Sequence, residues 1–280
     1  MVADELKAQV HAEGFAVIPA CLEQTVVESL CAQFNESHHP ERNILSSPSI
    51  QALATSKSVR EIMEAILGPT CFAVRGIFFN KTPTSNWKVV WHQDLTIAVR
   101  ERKNVEGFGP WTTKDGVLHV QPSTEVMDGI LAIRLHLDES TSDNGPLRVI
   151  PGSHREGRLS AERISSWDKQ ESLTCTVPKS GALVMRPLLL HASSACAVLQ
   201  PRRVIHLEFA GTELPYGLDW HERCGPNNFS PSSPDYRRNS DEGWSLFRGS
   251  RRIPRQALTV QSDRPILRAF QRLSSLRGVH

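Results

Sequence analysis

The 280-residue chain predicts a mainly β protein with N-terminal helices and a double-sheet jelly roll. Three observations predict it. Apolar residues recur at helical spacing through residues 1–70. From Cys71 to about Ala210 the chain changes to short β-branched and aromatic runs separated by turn residues. Neither an internal repeat nor a strand–helix alternation is visible, which counts against a parallel α/β sheet.

The elements follow in order. "ADELKAQVHAEG" reads as a helix with Asp4 as cap and Gly14 as stop, and "TVVESLCAQF" sets Val27, Leu30, Cys31 and Phe34 on one helical face. In "SVREIMEAILGP", Ser58 and Glu61 have capping-box spacing, Val59, Ile62, Met63 and Ile66 form an apolar stripe, and Gly68-Pro69 ends the helix. These stripes are packing faces. The strand candidates are "CFAVRGIFF", "KVVWHQDLTI", "GILAIRLHLDE", "PLRVIPG", "SLTCTVP", "GALVM", "LLLHAS" and "RVIHLEFA". "DNGP" at 143–146 reads as a hairpin turn, because Asn-Gly tolerates positive φ. "FGPWTTKDGVLHVQP" reads as a long loop of the kind that covers sites.

Composition excludes several classes. A net charge of +2 argues against a nucleic-acid partner held through phosphates. Residues 225–280 are different in kind, with ten Arg and no Lys against four acids in a Pro-, Ser- and Asn-rich context. Within them "PILRAFQRLSSL" has the pattern of one amphipathic helix, to which no activity is assigned. The six cysteines are scattered without metal or redox spacing, as expected of reduced thiols. The N-terminus lacks the apolar core of a signal peptide, and no stretch is long enough to span a bilayer, so the cytoplasm is the expected location. Oligomeric state is left open.

The chemistry begins with histidine. Six times a His is followed two residues later by an acid, where chance supplies about one, so the pattern alone selects nothing. Strand alternation narrows the field: in "VVWHQDLT" Val90, His92, Asp94 and Thr96 face one way and Val89, Trp91, Gln93 and Leu95 the other. Two His and one carboxylate on one face of an octahedron is the donor set of mononuclear Fe(II). The best third ligand is His191, a lone imidazole ending the apolar run "PLLLHASS". Arg202, at the start of the next strand, has the planar fork to hold a dicarboxylic cosubstrate.

"WHQD", "NGPLRVIPGSH" and "HASSACAVLQPRR" together resemble the phytanoyl-CoA dioxygenase family of Fe(II)- and 2-oxoglutarate-dependent oxygenases, over roughly residues 10–222. The resemblance implies a double-stranded β-helix of the jelly-roll, cupin-like kind, with His92, Asp94 and His191 as iron ligands, Arg202 as anchor of the distal 2-oxoglutarate carboxylate, and Ser193 as a further cosubstrate contact. It implies a hydroxylase that consumes O2 and 2-oxoglutarate and releases succinate and CO2, acting on a small molecule. The expected organisation is an oxygenase domain over 1–224, helical over 1–70 with a β-barrel core over 71–212, followed by the basic extension 225–280. The alternative is a cupin-like protein that binds metal or ligand without 2-oxoglutarate turnover.

Further residues take secondary places. Arg134 and His136 share a pocket-facing side, Arg134 nearer the cosubstrate and His136 a substrate-contact candidate along with Lys81, His119 and Gln121. His136/Asp138 is a weak rival metal pair, too near His191 in sequence for the intervening strands. His206 and Glu208 share the face of Arg202 and read as an interior hydrogen-bonded pair. Arg203 falls on the opposite face, beneath the helices.

Overall fold

A computed structural model describes residues 2–35, 40–81, 88–167, 170–196 and 202–226. The chain divides into two units, 1–230 and 231–280, and every described residue belongs to the first. The amphipathic segment at 265–276 and nearly all of the basic extension, like His39, lie outside the described residues. Among the described residues no helix is long and apolar enough to cross a membrane.

Four helices precede the main strands: α1 (Ala3–Glu13), α2 (Gln24–Gln33), α3 (Pro48–Ala54) and α4 (Lys57–Leu67). Gly14 ends α1 at φ +83°, its N–H bonded to the Val10 carbonyl, as a left-handed C-cap requires. Two starts differ from expectation. Val2, not Asp4, holds the N-cap position of α1. In α4 the N-cap is Ser56, whose hydroxyl donates to Leu53 O at 2.7 Å; α4 therefore begins directly behind α3, and Ser58 lies inside the helix rather than capping it. Val59 and Met63 of α4 are fully buried, and Ile62 and Ile66 pack at the edge of the same cluster.

Among the described residues the strands are, in chain order, β1 (Phe15–Ile18), β2 (Glu41–Arg42), β3 (Phe72–Lys81), β4 (Val89–His92), β5 (Ile97–Val99), β6 (Trp111–Lys114), β7 (Val117–Val120), β8 (Ile130–His136), β9 (Leu147–Val149), β10 (Leu173–Cys175), β11 (Ala182–Met185), β12 (His191–Ser193) and β13 (Arg202–Ala210). Two short helices, α5 (Thr124–Asp128) and α6 (Ala161–Trp167), lie between them. The major sheet has the order β1-β11-β8-β13-β3-β2 and the minor sheet β10-β9-β12-β4, antiparallel throughout. This is the two-sheet jelly roll that the strand pattern predicts and the double-stranded β-helix that the family resemblance implies.

Alternation along β13 divides the core from the site. Ile205, Leu207 and Phe209 are fully buried in a cluster with Val10, Val27 and Met63 of the helices. Each such side chain contributes about 1.5–3 kcal/mol through its removal from water. Arg203 is on this side too: its backbone N–H and Nε donate to Asp138 Oδ2 at 2.9 and 2.8 Å, and its Nη2 to Oδ1 at 2.8 Å. A second cluster, with Leu183 and Met185 from the major sheet and Leu147 and Val149 from the minor one, joins the two sheets.

Three expectations need correction. Residues 1–70 are not purely helical, because β1 pairs with β11 at the edge of the major sheet. "FGPWTTKDGVLHVQP" is not an open loop: β6 and β7 form a hairpin around Asp115-Gly116, both at positive φ, and β5 completes a three-stranded sheet. The Asn144-Gly145 turn is no hairpin, since β8 and β9 belong to different sheets. Gly145 stands at φ +72°, and a Cβ there meets Ser194 O at 2.7 Å. Glycine is needed there so that the turn can press against the strand end that carries Ser193 and Ser194. Gly145→Ala is expected to lower stability by about 1–3 kcal/mol, read as a lower urea midpoint; an unchanged midpoint contradicts this packing.

Candidate metal and cosubstrate site

The site lies in a cavity of about 410 Å³ between the two sheets. His191 of β12 and His92 of β4 are directly paired across the antiparallel ladder, their ring centroids 4.2 Å apart. The two rings are tilted by 52° to each other, but both are held through the same nitrogen. His92 Nδ1 donates to Val90 O at 2.9 Å and His191 Nδ1 to Leu189 O at 2.8 Å, so each Nε2 keeps its lone pair for the cavity. Asp94 completes the group, with Oδ2 3.7 Å from His191 Nε2 and Oδ1 3.9 Å from His92 Nε2. Among the described residues these three form the one cluster of His, Cys, Asp or Glu able to hold a metal ion, their ligand atoms all within 4.8 Å of one another.

The route by which Asp94 arrives differs from simple alternation. Strand β4 ends at His92, and a register shift between β12 and β4 places one residue, Ala192, opposite two, Val90 and Trp91, so that Val89 and His92 both line the cavity while Val90 is 69% exposed. Asp94 enters from an irregular segment held by two fixed points. Its N–H donates to Pro187 O at 2.9 Å. The Gln93 side chain, 6% exposed, donates from Nε2 to Gly157 O at 2.8 Å and Leu188 O at 2.7 Å and accepts from Leu159 N–H at 2.8 Å. Gln93 thus ties the stretch between two candidate ligands to the loops on either side. The sequence reading missed this residue, whose polar side chain on a nominally apolar face was the available signal.

The electrostatics suit a cation. Burial disfavours charge on Asp94, but His191, His206, His92 and Arg75 outweigh it and hold the carboxyl below the usual carboxylate range. Burial drives His191 the other way, down to about 4, although Asp94 resists, so its ring is neutral near pH 7.

At the other end of the cavity stands a cluster of cations. Arg202 of β13 and Lys81 of β3 are direct cross-strand partners, an arrangement of like charges that costs stability. Arg134 of β8 lines the cavity beside them. Arg202 is 3% exposed, and among the described residues its Nε and Nη1 have no hydrogen-bond partner; Arg134 Nε has none either. Burial pushes the two guanidinium groups down to about 9 and about 10, still charged at neutral pH. Burial, with Arg202 and Arg134 adding to it, brings Lys81 down to about 8. Lys81 Nζ donates to Ser193 Oγ at 3.0 Å and Ser194 O at 2.6 Å. The cluster therefore joins Arg202, Ser193 and Arg134 with Lys81, which the sequence reading had set on the substrate side.

The remaining candidates separate. His136 is buried, and burial, then Arg134 and Arg202, keep it neutral; it does not line the cavity. His119, on β7, is 2% exposed with Nδ1 bonded to Val117 O, and neither it nor Gln121 lines the cavity. His206 and Glu208 do line it. Glu208 Oε1 accepts from Arg75 Nη1 at 3.0 Å and lies 3.4 Å from His206 Nε2, while His206 Nδ1 is 3.3 Å from Arg134 Nη1. Asp138, the rival carboxylate, is occupied by Arg203. Arg75 was also missed; a lone charge within "CFAVRGIFF" was its signal.

Burial gives the metal-free protein a defined pH response. His119 and His191 are pushed down to about 4 and His136 well below its ordinary value, whereas the unfolded chain protonates them near 6.5. The unfolded state thus binds more protons as pH falls from 7, and stability falls with it. The expected loss by pH 5 is up to about 2 kcal/mol for each such histidine. Urea midpoints of metal-free protein at pH 7 and pH 5 measure this, and a flat response contradicts the neutral burial of these rings.

Comparison with known proteins agrees with the architecture. Solved structures of EctD from S. alaskensis superpose with a TM-score of 0.58 in the apo form, at 18% identity over 75% of this chain and 77% of that one. EctD has also been solved with 2-oxoglutarate and 5-hydroxyectoine. SnoK, a non-heme α-ketoglutarate-dependent carbocyclase of nogalamycin biosynthesis, gives 0.57 at 14% identity, covering 75% of this chain and 86% of that one. AviO1 from Streptomyces viridochromogenes Tue57 gives 0.54 at 17% identity, covering 77% and 96%. No curated protein matches by sequence. The phytanoyl-CoA dioxygenase family model matches residues 10–204, and the chain belongs to that family of Fe(II)- and 2-oxoglutarate-dependent oxygenases.

Proposed function

We propose that the protein hydroxylates a small organic molecule at the expense of 2-oxoglutarate and O2, releasing succinate and CO2, with His92, Asp94 and His191 as iron ligands and Arg202 as cosubstrate anchor. One observation carries this reading: a single cavity holds a two-His, one-carboxylate set at one place and, at another, the buried guanidinium of Arg202, whose Nε and Nη1 have no hydrogen-bond partner among the described residues. The donor set fits ferrous iron, leaving three of six octahedral positions for other ligands. The orphaned Arg202 nitrogens fit a dicarboxylate, whose distal carboxylate accepts their hydrogen bonds.

When bound, iron and 2-oxoglutarate supply the activation of O2 coupled to oxidative decarboxylation, which no side chain provides. The protein supplies position and charge. His92 and His191 present Nε2 because their Nδ1 protons are committed to Val90 O and Leu189 O. Asp94 contributes the negative charge that partly neutralises a divalent ion. Arg202, with Lys81, Ser193 and Arg134 around it, takes the far end of the cosubstrate and so directs its 2-oxo acid end to the metal. Ile77, Phe79, Val89 and Leu147 supply apolar wall that limits water near the reacting centre.

Arg202→Ala is expected to weaken 2-oxoglutarate binding by roughly a hundredfold, the cost of a buried charge-assisted pair, and to leave Fe(II) affinity nearly unchanged. Anaerobic titration, followed by the visible charge-transfer absorption of the metal-bound 2-oxo acid, measures both; equal losses, or none, remove the anchor. Gln93→Leu is expected to lower Fe(II) affinity about 10- to 100-fold while the protein stays folded. Unaltered Fe(II) affinity in that variant means the Gln93 clamp does not orient the ligands.

A further inference from the structure

We propose that the primary substrate is a small organic acid, whose carboxylate is held by Lys114 with Thr96 at the end of the cavity away from Arg202. The inference deepens the proposed function and rests on it.

Charge carries the argument. Six cations line the cavity, Arg42, Arg75, Lys81, Lys114, Arg134 and Arg202, against two carboxylates, Asp94 and Glu208. They fall into two separate groups. Lys81 stands in the field of Arg202 and Arg134. Lys114 stands in the field of Arg75 and Arg42, with Asp94 and Glu208 opposing them, and shares no cation with the first group. The ladder between β3 and β13 separates the two ends, with Lys81 opposite Arg202 at one and Arg75 opposite Glu208 at the other.

The first group is matched by the distal carboxylate of 2-oxoglutarate. In the second group, Arg75 is matched by Glu208 at 3.0 Å and Arg42 by Asp115 at 2.7 Å. Lys114 is not matched. Its Nζ is hydrogen-bonded to Thr96 Oγ1 at 2.8 Å, a neutral partner, and among the described residues no carboxylate pairs with it. With the other ion pairs closed, the ammonium and the hydroxyl form a two-point donor site for an anion.

Size limits the occupant. A cavity of about 410 Å³ that also receives 2-oxoglutarate has room for a second molecule of modest size. A bulky nucleotide-bearing thioester has to remain largely outside it, whereas a short carboxylic acid fits, with its acid group at Lys114 and its chain running toward the iron along Leu95 and Ile77. The hairpin that carries Lys114 lies outside the two main sheets, so this end is set by an added element while the metal end is set by the core strands.

The probes are the straight-chain carboxylates from propanoate to octanoate, each beside its primary amide. They are titrated anaerobically into protein loaded with Fe(II) and saturating 2-oxoglutarate, and followed calorimetrically and by displacement of the charge-transfer band. At least one acid is expected to bind, with its amide roughly 10- to 100-fold weaker, the range of a charge-assisted hydrogen bond. Lys114→Met should abolish the difference, Lys114→Arg should keep it, and Thr96→Val should reduce it. Binding of acid and amide alike, binding of no acid, or a preference that survives in Lys114→Met while the band forms normally overturns the inference. A band that fails to form in the wild type overturns the proposed function itself and the inference with it, so the two failures are told apart by the band.

Discussion

The antiparallel contact between β12 and β4, which sets His191 opposite His92, is the constraint on which the site depends. Strand pairing alone brings two imidazoles within 4.2 Å of each other, and the carbonyls two residues before each fix which nitrogen points inward. A one-residue slip in this ladder would turn one ring out of the cavity. The slip is prevented on both sides: β9 pairs with the other edge of β12, and the Gln93 side chain ties the end of β4 to Leu188, just before β12. Asp94 then needs no strand of its own, because it follows Gln93 and is held by the Pro187 carbonyl.

The same physics explains how the fold sustains a buried group of like charges. Arg202 and Lys81 face each other on adjacent strands with Arg134 nearby, an unfavourable gathering of like charges. Their strands carry large apolar residues on the opposite side, with Ile205, Leu207 and Phe209 of β13 and Ile133 and Leu135 of β8 fully buried beneath the helices. Burial there offsets the cost of the charged face. The Arg203–Asp138 pair adds a bidentate link between the ends of β13 and β8, keeping Arg202 at its place in the register.

Much of this was legible in the sequence, for identifiable reasons. The alternation of β13 assigns Arg202, His206 and Glu208 to the cavity and Arg203 to the helices because a long central strand between two neighbours has no freedom to deviate. Alternation fails in "VVWHQDLT", where His92 and Asp94 do come together, yet through a bulge and a bend rather than one continuous strand. Nothing local in those residues announces the bulge. Its support comes from Gly157, Leu159 and Leu188, far away in the chain. The β6–β7 hairpin was hidden for a different reason: Asp115-Gly116 is a strong turn signal, but the flanking strands are only four residues each. Lys114 and Arg75 escaped notice because their importance is a matter of charges gathered in three dimensions.

The central claim is that His92, Asp94 and His191 hold one ferrous ion, and an anaerobic crystal structure of the protein soaked with Fe(II), with anomalous scattering recorded at the iron edge, addresses it most directly. The account predicts a single anomalous peak bonded to Nε2 of both histidines and to a carboxylate oxygen of Asp94. A peak at His206 and Glu208 instead, or iron bound without His191, would contradict it.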